Sequence, residues 1–175
     1  MTTAWTLPTI LTQFAEEGAE DKHISWDDST NLEALKNSDG RSVQTNGTLD
    51  HIARSPKHDL KNKTYYIRAT GFNFVNLPQT ISGIEVKVNA RRYGRATDDT
   101  IQLCYNSENI GENKASITIK PEKVYGGGTD IRSVESLSNS IVTNSSFGIL
   151  IRFKAHPNWP HRDPVLLDSV EMRIH

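Results

Sequence analysis

ISGIEVKVNAR, residues 81–91, is the stretch whose pattern decides the fold. Ile84, Val86, Val88 and Ala90 fall on one side of an extended chain, and Glu85, Lys87, Asn89 and Arg91 on the other. A period of two is what a half-buried β-strand requires, because successive side chains leave opposite faces of the pleat. An α-helix would put its apolar residues three and four apart. A strand with one apolar face needs a second layer to cover it.

Working outward, the same alternation recurs. Residues 65–70, YYIRAT, put Tyr65, Ile67 and Ala69 on one face, and Gly71 after them marks a bulge or a close backbone approach. Downstream, Ile101, Leu103 and Tyr105 share a face, Ile117 and Ile119 mark a short strand ended by Pro121, and Phe147, Ile149, Ile151 and Phe153 form the most apolar strand. Val170, Met172 and Ile174 alternate with Ser169, Glu171 and Arg173 at the end. Asp39-Gly40 and Asn46-Gly47 are turn signals, residues 92–99 read as a turn, and residues 106–113 read as a loop turning at Gly111. Residues 31–36 and 137–144 each allow one helical turn, the second capped by Ser136 or Ser138. The crossover helices of a parallel sheet are missing. The expected fold is all-β: an antiparallel, jelly-roll-like β-sandwich with an N-terminal arm and at most one or two short helical turns.

Composition narrows the function. The chain has 175 residues, a size that supports a core without metal or disulfide staples, and 20 Lys+Arg against 21 Asp+Glu leave a charge of −1. That is neither the basic excess of a nucleic-acid binder nor a polybasic membrane surface, and no apolar run is long enough to span a bilayer. The N-terminus lacks the pattern of a secretory leader, so synthesis in a reducing cytoplasm is expected and the sequons at Asn46, Asn62 and Asn144 are read as incidental. Cys104, the single cysteine, excludes an internal disulfide and reads as a small buried side chain.

Residues 1–22 divide from a sandwich domain at 23–175. Leu7, Ile10, Leu11 and Phe14 form one side of a short helix or belong to an extended arm that docks on a neighbour, in which case removing residues 2–20 should leave a folded domain. Trp159 and His161, in the proline-rich loop AHPNWPHRDP, are the other candidate partner contacts, since aromatic anchors are enriched at interfaces.

The loops offer several chemistries, each weighed against a plainer role. YGGGTD, residues 125–130, lacks the lysine and long helix of a phosphate-binding loop and reads as a tight backbone crossing with Asp130 capping it. His156 and His161 with Asp163 and Asp168 match no zinc-ligand spacing, and Asp98, Asp99 and Asp130 would hold calcium only if their loops converged. Asp27, Asp28, Asp98 and Asp99 are read as turn residues rather than a glycosidase pair. No serine lies in a nucleophile elbow. No catalytic, cofactor or metal residue is assigned.

The order of landmarks is more telling than any one of them. A Trp-containing, Asn/Asp-rich opening at residues 26–40 ends in SDG and is followed by YYIRATGFNFVNLPQTISGIEVKVNAR, DDTIQLCYNSENIGENKA, YGGGTD, SNSIVTNSSFGILIRF and a closing DSVEMRI. Residues 23–175 thereby resemble the jelly-roll or β-sandwich module of tailed-bacteriophage virion structural proteins. Arg132-Ser133 stands where similar proteins often carry Trp, and the HPNWPHRDP loop is extra. The resemblance implies a non-enzymatic structural protein, located in the virion and binding other virion proteins (major capsid or tail proteins) as a capsid decoration (cement) subunit or a tail or baseplate component. It implies a homo-oligomer or symmetric array, with neither nucleic acid nor membrane as partner. The alternative is a carbohydrate-binding or host-adhesion module, with Tyr65, Tyr66, Tyr93, Tyr105, Trp159 and Arg92 supplying stacking and hydrogen-bonding groups.

Overall fold

The computed structural model describes residues 1–18, 23–27, 32–46, 62–92, 96–116, 122–135, 137–155 and 164–175. Two sheets face each other. The larger contains β1 (Ile10–Phe14), β2 (His23–Ile24), β4 (Lys63–Thr64), β5 (Tyr66–Thr70), β7 (Ala96–Tyr105), β8 (Glu108–Ile110) and β10 (Gly148–Ala155). The smaller runs in the order β3 (Val43–Gln44), β11 (Leu166–Ile174), β6 (Ile84–Arg92), β9 (Glu122–Gly126). The pairings are antiparallel except for a short parallel contact between β2 and β4. The chain is therefore an antiparallel β-sandwich. β5, β7 and β10 lie in one layer and β6, β9 and β11 in the other, so each major connection crosses between layers.

The inward faces follow the expected alternation. Ile84, Val86, Val88 and Ala90 of β6 are fully buried, opposite Ile174, Met172, Val170 and Leu167 of β11. They meet Ile67, Ala69, Ile101, Leu103, Ile149, Ile151 and Phe153 of the other sheet in one apolar cluster. Trp26 plugs one part of this core: it is fully buried, its ring stands edge-on to Phe153, and its Nε1–H donates to the Tyr65 carbonyl at 3.1 Å. Among the described residues, helical content is a 3-10 turn at Leu32–Lys36, which buries Leu35, and α1 (Asn139–Val142). Ser138 is the N-cap of α1, but its hydroxyl bonds to Ser140 instead of capping the backbone.

Several expectations are corrected. Asp98 and Asp99 belong to β7, not to the turn before it. Residues 106–113 are not one loop: Asn106 and Ser107, with φ of 50° and 69°, form a two-residue hairpin turn that leads into β8. Residues 1–14 take the extended alternative and not the helix, and the segment docks on its own domain. Thr3 and Thr6 pair with Ile174 and Met172 at the edge of the smaller sheet, and after Pro8 the chain enters the larger sheet as β1, in register with β5 from Ile10↔Thr70 to Phe14↔Tyr66. One N-terminal segment thus clasps both layers. Gly71 is the close approach that its position implied: φ is +70° and an added Cβ would lie 2.4 Å from Thr9 Oγ1. The strand expected at Ile117 and Ile119, and the loop with His156, Trp159, His161 and Asp163, lie outside the described residues.

Candidate functional site: the outer face of the larger sheet

The strand alternation that sends Ile67, Ile149 and Ile151 inward sends Tyr66, Arg68, Leu150 and Arg152 outward, and β1 adds Phe14 beside Tyr66. The Phe14 and Tyr66 rings stack at 5.3 Å with 24° between their planes. A guanidinium covers each remaining ring face, Arg68 over Phe14 at 4.6 Å and Arg152 over Tyr66 at 4.1 Å. Tyr66 therefore presents no free face for a sugar to stack on, which corrects its assigned stacking role; Tyr93 and Trp159 lie outside the described residues.

The two arginines differ in what they hold. Arg152 is buried and saturated: Asp99 accepts from Nε at 2.7 Å and lies 2.6 Å from Nη2, and Glu16 accepts from Nη1 at 2.7 Å. Lys63 and Lys154 reach the same Asp99 at 3.7 and 3.3 Å. Burial opposes ionisation of Asp99, but these cations outweigh it and hold its carboxyl below the usual range; Glu16 is held low by the Arg152 hydrogen bond and charge. His23 is pushed down by burial and then by Arg152. Arg68, by contrast, donates only to Ser107, at 3.4 Å to the hydroxyl and 3.5 Å to the carbonyl, and its buried Nε has no partner among the described residues. It forms one wall of a groove of about 530 Å³ between the chain following β1 and the β7–β8 hairpin.

The other polar groups are engaged in holding the layers together. Asp98, turned inward, accepts from the Tyr125 hydroxyl at 2.6 Å and from Lys123 Nζ at 2.9 Å, joining β7 to β9 across the sandwich. Arg132, fully buried with φ of 57°, donates to the carbonyls of Ile101 at 3.3 Å and Tyr125 at 3.0 Å, one in each sheet; burial pushes it down to about 10. Burial pushes the Cys104 thiol up to about 11, so it is a packed side chain and not a nucleophile at neutral pH. In YGGGTD, the Asp130 N–H donates to the Gly127 carbonyl at 3.1 Å and its carboxylate accepts from the Arg132 N–H at 2.8 Å. The loop is the expected tight crossing, with Gly127 carbonyl oxygen 2.2 Å from where a Gly83 Cβ would be. Asp98, Asp99 and Asp130 face three different environments, and among the described residues no three metal-ligating side chains gather.

One hydroxyl–imidazole–carboxylate array escaped the sequence reading. His175 Nδ1 lies 3.1 Å from Thr2 Oγ1 and Nε2 lies 2.8 Å from Glu85 Oε2, and Arg173 also pairs with Glu85. The array joins Thr2 and His175 to β6, and residues 2, 85 and 175 carry no local signal because only strand pairing assembles them.

The candidate partner contacts divide by orientation. Ile10 is exposed at 45%, Leu7 is half-buried, Leu11 packs against the core and Phe14 is committed to Tyr66. Among the described residues, β1 has a strand partner on one side only. Trp159 and His161 lie outside the described residues. Compared with known proteins, the chain matches no protein-family profile, no curated protein and no solved structure.

Proposed function

We propose that this chain is a non-enzymatic structural subunit of a bacteriophage virion, binding neighbouring virion proteins as a capsid decoration (cement) subunit or as a tail or baseplate component. The observation that carries this reading is the exposed edge at β1, where Ile10 and Thr12 face solvent and, among the described residues, no second strand pairs. Such an edge accepts a strand from a neighbour, and repeated weak contacts of this kind gain strength in a symmetric array. The polar ties of Asp98 and Arg132 support the reading, because they commit the potentially reactive interior groups to rigidity.

The test is co-sedimentation of purified protein with phage heads and tails that lack it, followed by cryo-EM of the decorated particle. Wild type should bind at a fixed stoichiometry. Ile10→Lys with Thr12→Lys, both on exposed positions, should lose binding while keeping the wild-type Tm. Failure of wild type to associate with any particle would overturn the reading. The second reading, host adhesion through a carbohydrate, is favoured by the groove beside Arg68, which mixes apolar and polar side chains.

A further inference from the structure

We propose that the groove on the outer face of the larger sheet binds a carboxylate-bearing sugar, a hexuronic or sialic acid residue, with Arg68 as the anchor. This deepens the adhesion reading and rests on it.

Two arginines flank one aromatic pair and differ in what they hold. Both place the guanidinium carbon over a ring, at 4.6 and 4.1 Å from its centroid, a contact that restrains the side chain and removes part of the rotamer entropy that binding would otherwise cost. Arg152 shows the saturated state, with two carboxylates on its donors. Arg68 has no ion pair among the described residues and two long contacts to Ser107. A planar fork held in place without a carboxylate is a site prepared for one.

The groove around it sets the class of ligand. Glu17, Glu108 and Glu16, the last paired with Arg152, line it together with Arg68, so a phosphate dianion or a polyacidic peptide would meet repulsion there. A ligand with one carboxylate and several hydroxyls avoids this, because its hydroxyls donate to those same carboxylates and to the Asn109 amide oxygen. Ala15 and Leu150 give a small apolar floor for the C–H face of a ring. The volume, about 530 Å³, suits one or two sugar rings. A neutral sugar lacks the anchor, and the stacked rings cannot compensate because their faces are covered.

The experiment is an NMR titration of the full-length protein with sodium glucuronate, sodium N-acetylneuraminate, glucose and sodium acetate. At least one acidic sugar should shift the amides of Arg68, Ser107 and Asn109 and bind roughly tenfold or more tighter than glucose or acetate. Arg68→Gln should remove that preference and Arg68→Lys should reduce it, with Tm recorded for both. Asn109→Ala, at the rim, should weaken the sugars without affecting acetate, and it serves if the Arg68 variants do not fold. Glucose binding as tightly as glucuronate would overturn the acidic-sugar inference and leave adhesion standing. Acetate binding as tightly as glucuronate would reduce the groove to a simple anion site and overturn the inference. Silence with all four probes would overturn both the inference and the adhesion reading, without touching the assembly reading.

Discussion

Asp98 and Asp99 are neighbours in sequence and opposites in environment. A β-bulge in β7 explains this: Arg152 of β10 is opposite Thr100, and Phe153 is opposite Asp98, so Asp99 is the extra residue. Without it, strand alternation would turn Asp98 outward; with it, Asp98 points into the sandwich and Asp99 meets Arg152 outside. Asp98→Ala should therefore be severe, because it leaves the Lys123 ammonium and the Tyr125 hydroxyl without the carboxylate that bridges them. The expected loss is about 3–5 kcal/mol by urea unfolding. Adding Lys123→Met should recover part of it, since a largely buried ammonium that keeps Ser116 but has lost its carboxylate is costlier than a thioether. A neutral Asp98→Ala would show that the cross-sheet tie carries no stability.

At the scale of elements, the N-terminal segment matters most. Gln13 of β1 faces inward and holds both backbone groups of Trp26, its amide oxygen accepting from the Trp26 N–H at 2.8 Å and its Nε2 donating to the Trp26 carbonyl at 3.2 Å. The segment also closes β11 through Thr3 and Thr6 and shields Ala69 through Leu11. Deleting residues 2–14 should cost several kcal/mol, a Tm drop of roughly 10 °C or more. Hydrogen exchange should then accelerate at the amides of β5 first. A truncated domain with the wild-type Tm would restore the detachable arm. The reason helix and arm were both plausible is that Leu7, Ile10, Leu11 and Phe14 have spacings that suit a helical face, whereas pairing with a strand some 60 residues away leaves no trace in local spacing.

For the whole molecule, the charge pattern sets a direction for acid sensitivity. Glu85, Asp99 and Asp130 are each opposed by burial but held below their usual ranges by paired cations or hydrogen bonds, and Glu16 is held low by Arg152. Groups with a depressed folded pKa add stability that is present above their unfolded value, about 4, and is lost as pH falls through the folded one. His23 acts in the same direction: burial favours its neutral form, so protonation below about 6.5 weakens the fold. Tm should therefore decline modestly from pH 7 to 5 and steeply from 5 to 3. His23→Gln should flatten the first part and leave the second. A Tm that rises on acidification would contradict the assigned ion pairs.

The sequence by itself determined the class of this protein. The period of two in residues 84–90, 149–153 and 170–174 is a property of each strand alone, and apolar faces of that kind have to be buried against each other. Tertiary structure alone decided the rest: that an N-terminal strand clasps both sheets, that a bulge turns one of two adjacent aspartates inward, and that Arg68 beside the groove has no ion pair among the described residues while Arg152 holds two carboxylates. Each of these depends on which distant strand lies alongside and in what register, and pairing between segments far apart in the chain is settled by the packing of the whole core rather than by any local pattern.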